Sequence, residues 1–171
     1  MDATAYLGMA SERFNHNAEA IKRLVITISD TQARWKSIST DWSILEVINH
    51  LYDEEREDFR QRLDLLLHHP EQPWPGIDPV GWVTERRYNE RDLATSLANF
   101  LQERAASIAW LQSLEQPKWE NSYHHPAAGS ISAANLLFCW LGHDLLHLRQ
   151  LTQLHWQYLE QSFPLNYAGD W

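Results

Sequence analysis

Proline and glycine punctuate this chain at two places. Pro70, Pro73, Pro75, Gly76, Pro79 and Gly81 form one cluster; Pro117, Pro126 and Gly129 form a second. Around these breaks the apolar residues recur at three- and four-residue spacing, the period of a helix with one buried face. Four segments carry the pattern. The first covers residues 4–29, with Tyr6, Met9, Phe14, Ala18, Ile21, Leu24, Val25 and Ile28 on its stripe. The β-branched run Ile26-Thr27-Ile28 weakens its end. The second covers residues 41–68, with Thr40 or Asp41 as N-cap and Ile44, Val47, Ile48, Leu51, Phe59, Leu63, Leu66 and Leu67 facing in. The third covers residues 90–113 through Leu93, Leu97, Phe100, Leu101, Ile108 and Leu111. The fourth covers residues 130–161, with Leu136, Leu137, Trp140, Leu141, Leu145, Leu148, Leu151, Leu154 and Tyr158 as core.

No alternating strand pattern competes, so the expected fold is all-α, an antiparallel four-helix bundle. The connection over residues 69–89 is long for a compact domain, which favours a crossover between helices 2 and 3 over simple up-and-down order. Trp74, Trp82 and Val83 predict that this connection packs onto the body, and Phe, Tyr and Trp in residues 163–171 predict a docked tail. A length of 171 residues predicts one domain over 1–171.

Composition narrows the function. With 44% hydrophobic and 22% charged residues the chain reads as globular rather than disordered. Its net charge of -9 opposes binding to nucleic-acid phosphates and to anionic lipid. The longest uncharged stretch, residues 126–142, is short for a membrane span and carries Ser130, Ser132 and Asn135. The single cysteine, Cys139, provides no internal disulfide and reads as a small buried hydrophobe. Residues 1–6 lack the pattern of a secretory signal, so a cytoplasmic location is expected.

Nine histidines direct attention to metal. His143 and His147 lie one helical turn apart on one face, where two imidazoles reach a common ion. His50 lies beside the apolar stripe of the second helix, among Ile44, Val47 and Leu51. Three inward histidines from two helices are a ligand set that a bundle core accommodates, but spacing does not place His50 opposite the pair. Core histidines with hydrogen-bond partners remain the alternative. Glu46 and Glu54, one turn either side of His50, and Asp144 beside His143 are candidates for holding an imidazole N–H or a bound water. A solvated surface is the competing reading for Glu54, which opens the charged run through Arg60. Gln150, one turn beyond His147, suits either the site or a bundle hydrogen bond. His124 and His125 read as exposed loop residues; His68 and His69 close a helix, and His16 and His155 sit at the surface or bundle edge.

The run Trp42-Ser43-x-x-Glu46-x-x-x-His50-Leu51-x-Asp53-x-Glu55, followed by His143-Asp144-x-x-His147-x-x-Gln150, resembles the DinB-like (YfiT-like) superfamily. Gly129-Ser130-Ile131-Ser132 before the last helix and Asn89-Glu90-x-Asp92-Leu93, with Phe100 and Arg104 downstream, also fit that family. The resemblance implies an up-down-down-up bundle and a divalent metal held by His50, His143 and His147. It also implies relatives that include thiol-dependent S-transferases and isomerases. A thiol S-transferase or a hydrolase acting on a small molecule is the leading expectation, with a low-molecular-weight thiol as candidate cosubstrate. A non-catalytic metal- or small-ligand-binding bundle, for example a stress-associated protein, is the alternative, and a Trp-rich homodimer is a third.

The chemistry open to such a site follows from its donors. Three neutral imidazoles leave a tetrahedral zinc one open position, where water acidifies towards a pKa of about 7 and a thiol binds as thiolate. Zinc is the first expectation; nickel and iron also accept imidazole. His143-Asp144-Leu145-Leu146-His147 differs from the zinc-peptidase HExxH motif by its shorter acid, and no downstream ligand pattern accompanies it.

Overall fold

The β-branched run near residue 26 ends the first helix earlier than its apolar stripe does. In a computed structural model of the chain, which describes residues 3–126, 129–166 and 168–169, helix α1 is Ala3–Val25 and a short α2, Asp30–Arg34, occupies the expected connector. The second rod starts at Ile44, with Ser43 rather than Thr40 or Asp41 as its cap. Ser43 Oγ accepts the Glu46 N–H and Glu46 accepts the Ser43 N–H, a reciprocal capping box that satisfies two otherwise orphaned donors. This rod is α3 (Ile44–Glu54), one wide π turn (Glu55–Phe59) and α4 (Arg60–His68). The long connection contains α5 (Pro79–Glu85), opened by the Asp78 cap and Pro79, and a 3-10 turn, Tyr88–Glu90. The remaining long helices are α6 (Leu93–Ser113) and α7 (Ala133–Glu160).

Two apolar clusters give the direction of every rod. One gathers Ala10 and Phe14, Phe59 to Leu67, Ile108 and Leu111, and Leu136 to Leu141. The other gathers Ala18 to Val25, Ile44 to Leu51, Leu97 and Phe100, and Leu151 and Leu154. Both α3–α4 and α6 therefore run from the second cluster to the first, while α1 and α7 run the opposite way. This is the up-down-down-up order, and residues 69–92 carry the chain back along the bundle between its two parallel rods. Trp82 and Val83 are buried with Tyr88, so the connection packs as expected.

Between the clusters lies a buried ionic layer. The Arg104 guanidinium donates to both Asp144 oxygens at 2.6 and 2.7 Å and to both Glu55 oxygens at 2.8 and 2.9 Å. Asn17 also donates to Asp144, and the Trp140 indole donates to Glu55. Such a layer is costly to desolvate and tolerated because each member is hydrogen-bonded. The π turn advances the helical face by an extra residue, and it is here that Glu55 meets Arg104. The solvated reading of the charged run is corrected accordingly, because Glu54, Glu55 and Asp58 are all buried.

Other expectations also give way. Residues 114–129 are not all loop: β1 (Ser122–His125) and β2 (Gly129–Ser132) form an antiparallel hairpin, with Gly129 at φ +74°, a conformation that favours glycine. His124 and His125 lie on β1, and Trp74 stacks on Tyr123 at 4.6 Å. Leu145 is 60% exposed rather than core, and Cys139 is exposed rather than buried. In the tail Phe163 is exposed rather than docked; Tyr167 and Trp171 lie outside the described residues. No helix among the described residues is long and apolar enough to cross a membrane.

Candidate metal centre

The capping box fixes where α3 begins, and therefore which face His50 presents. His50 points across the bundle at α7, where His143 and His147 project from consecutive turns. His143 Nε2 lies 3.2 Å from His50 Nε2 and 3.1 Å from His147 Nε2. The structure thus brings together the three histidines that spacing alone left apart, and they form the one such donor cluster among the described residues.

Aromatic rings hold the imidazoles in place. Trp42 packs on His50 with centroids 4.8 Å apart and lies parallel to His147 at 6.4 Å; Phe59 meets His143 at 5.0 Å. His147 Nδ1 is 2.7 Å from Gln150 Oε1, so Nδ1 carries the proton and Nε2 turns its lone pair to the centre. Gln150 is thus a hydrogen-bond partner of one of the three clustered histidines.

Burial depresses the proton affinity of all three rings. It is the main cause that lowers His50 to about 2, with His147 and His143 adding repulsion. Burial, His147 and Arg104 lower His143 to about 3. His147 is also lowered, chiefly by burial, against the opposing pull of the Gln150 hydrogen bond and Asp144. The rings are therefore neutral near pH 7, the form in which imidazole ligates.

This donor set fits a divalent ion. One N–H on His143 Nε2 satisfies a single neighbour, so three mutually facing nitrogens call for a shared cation. An ion with bonds of about 2.0–2.1 Å holds tetrahedral nitrogens about 3.3 Å apart, close to the separations seen.

Two of the three acidic candidates, Glu46 and Asp144, are engaged elsewhere. Glu46 is held by the Ser43 cap and by Lys36 at 2.7 Å. Asp144 turns from the centre into the Arg104 layer and reaches His147 only through its field. Glu54 is buried with Oε1 unpartnered. Burial and the neighbouring Asp58 push its carboxyl up to about 8. Sequence reasoning passed over Phe59 as a wall of the site and Arg104 as the support beneath it. The four-residue spacing Phe100-Arg104-Ile108 was the available signal for an inward arginine.

A groove of about 630 Å³ runs beside His147, between Thr40, Asp41 and Trp42 on one wall and Leu146, Arg149, Gln150 and Gln153 of α7 on the other.

The DinB superfamily profile matches residues 13–151. The chain belongs to the DinB superfamily. Among its relatives is an Oceanobacillus iheyensis protein named "Putative metal-dependent hydrolase", 27% identical over 135 residues, which cover 78% of this chain and 77% of that protein. YfiT from Bacillus subtilis, described as "a probable metal-dependent hydrolase with an unusual four-helix bundle topology", superposes with a TM-score of 0.76 at 20% identity, over 86% of this chain and 85% of that one. At that identity the likeness speaks for the DinB-like bundle alone.

Proposed function

We propose that this DinB-superfamily protein is a divalent-metal-dependent enzyme acting on a small molecule, with His50, His143 and His147 as the metal ligands. The convergence of three neutral Nε2 atoms beside an open groove carries the reading. The name of the Oceanobacillus relative supports hydrolysis as the reaction class. When bound, a divalent ion supplies Lewis acidity and makes a coordinated water or thiol a nucleophile at neutral pH.

The chain's own residues supply the rest. Gln150 fixes the His147 tautomer and aim. Trp42 and Phe59 brace the three rings, and the groove runs beside His147. The Arg104 layer anchors the α7 backbone between the two histidines through Asp144. Water as acceptor gives a hydrolase; a low-molecular-weight thiol as acceptor gives an S-transferase. Zinc is the first metal to try, with nickel and iron next.

The test uses untagged protein stripped by a chelator and reloaded with each metal. It is assayed on small esters, amides and electrophiles with and without added thiol. Activity that returns with metal and is absent from His143→Ala supports the proposal. Fully loaded protein that turns over none of these contradicts it and leaves a metal-binding module.

A further inference from the structure

The groove beside His147 holds two opposite charges that do not meet. Arg149 projects from α7 and Asp41 from the loop that leads into α3, and both line the groove. No ion pair or side-chain hydrogen bond joins either of them to any described residue. For an arginine of this chain that is unusual. Arg23, Arg34, Arg56, Arg60, Arg62, Arg86, Arg87, Arg91 and Arg104 all have such partners, and of the eleven arginines only Arg13 shares the condition of Arg149. Arg149 is also the only Lys or Arg among the described residues that line this groove. In a chain of net charge -9 it is a local exception to the acidic surface.

The floor between the two charges is mixed. Leu146 and Trp42 offer apolar surface near His147, and the amide of Gln153 lies one turn beyond Gln150. The α7 wall from His147 to Gln153 is about 9 Å long at a rise of about 1.5 Å per residue. That is the span of a small organic molecule.

We infer that this groove selects a small zwitterion of the amino-acid type, its carboxylate held by Arg149 and its ammonium by Asp41, with a third group directed at the three-histidine centre. A guanidinium presents a planar fork suited to a carboxylate, whereas Asp41 accepts the N–H bonds of an ammonium. The inference rests on the metal-centre reading above and adds the class of molecule that the centre receives.

The test separates the two. Full-length protein loaded with cobalt is titrated with L-cysteine, cysteamine and 3-mercaptopropionate, which share a thiol and differ in their charged groups. Binding is read from the thiolate-to-cobalt absorption band. L-Cysteine is expected to bind most tightly. Arg149→Gln is expected to weaken L-cysteine and 3-mercaptopropionate by about fivefold, the upper range for an exposed ion pair, and to leave cysteamine unchanged. Asp41→Asn is expected to weaken L-cysteine and cysteamine and to spare 3-mercaptopropionate. Arg149→Lys keeps part of the preference for a carboxylate. Equal affinities for the three thiols, or variants that match wild type on all three, overturn the inference while the metal centre stands. Failure to take up cobalt overturns the metal-centre reading and this inference with it.

Discussion

Gln150 Oε1 accepts the Nδ1 proton of His147 across 2.7 Å, one turn along the same helix. The pair converts a freely tautomerising ring into one whose Nε2 faces His143 at 3.1 Å. Outer partners of this kind are commonly worth about 10–100-fold in metal affinity. Gln150→Leu should therefore bind zinc about tenfold more weakly in competition with a chromophoric chelator, with helical circular dichroism unchanged. Gln150→Glu, which keeps an acceptor, should restore binding. Unchanged affinity in Gln150→Leu would remove the residue from the site.

Arg104 is buried between Glu55 and Asp144, with its guanidinium over Phe14 at 4.6 Å. Removing it strands two carboxylates. Arg104→Met should cost about 3–5 kcal/mol in denaturant-induced unfolding of the metal-free protein. A loss under about 1 kcal/mol would show that the layer relaxes or hydrates.

Glu54 gives stability a pH dependence of definite sign. Its carboxyl is raised from 4.5 to about 8 by burial and Asp58, so the folded chain keeps a proton that the unfolded chain releases. The stabilisation is complete below the ordinary carboxyl value and declines as pH rises towards about 8. Glu54→Gln keeps a donor towards Asp58 without the charge. It should flatten the fall in stability between about pH 5 and 8 and exceed wild type by about 1 kcal/mol or more at the alkaline end. A parallel pH profile for the two proteins would refute the assignment.

Ser43 begins the rod that carries His50. Ser43→Ala removes the acceptor for the Glu46 N–H and should cost about 1 kcal/mol in thermal or chemical unfolding. Ser43→Asp, which can still cap, should recover most of it.

The rods and their apolar faces were legible in the sequence because their signal is local and periodic. The exact start of the second rod was missed: Thr40 or Asp41 was the expected cap, whereas Ser43 and Glu46 form the capping box. The burial of Glu54, Glu55 and Asp58 was not legible either, since what makes it tolerable lies on other turns and helices: Arg104 for Glu55 and Arg62, 2.7 Å from Asp58. The hairpin was hidden for a similar reason, because two four-residue strands are defined by each other. Leu145 and Phe163 show that an apolar side chain is not obliged to be inside. At the centre, periodicity gave the His143–His147 pair, while the place of His50 opposite it came from the family resemblance and is visible only once α3 and α7 pack.

The most direct test of the metal centre is the metal content of untagged protein by mass spectrometry after equilibration with zinc and removal of loose ions. The expected result is close to one ion per chain for wild type, and almost none for His50→Ala with helical content retained. A His50→Ala protein that keeps its full complement, or a wild-type protein that takes up none, would contradict a site shared by His50, His143 and His147.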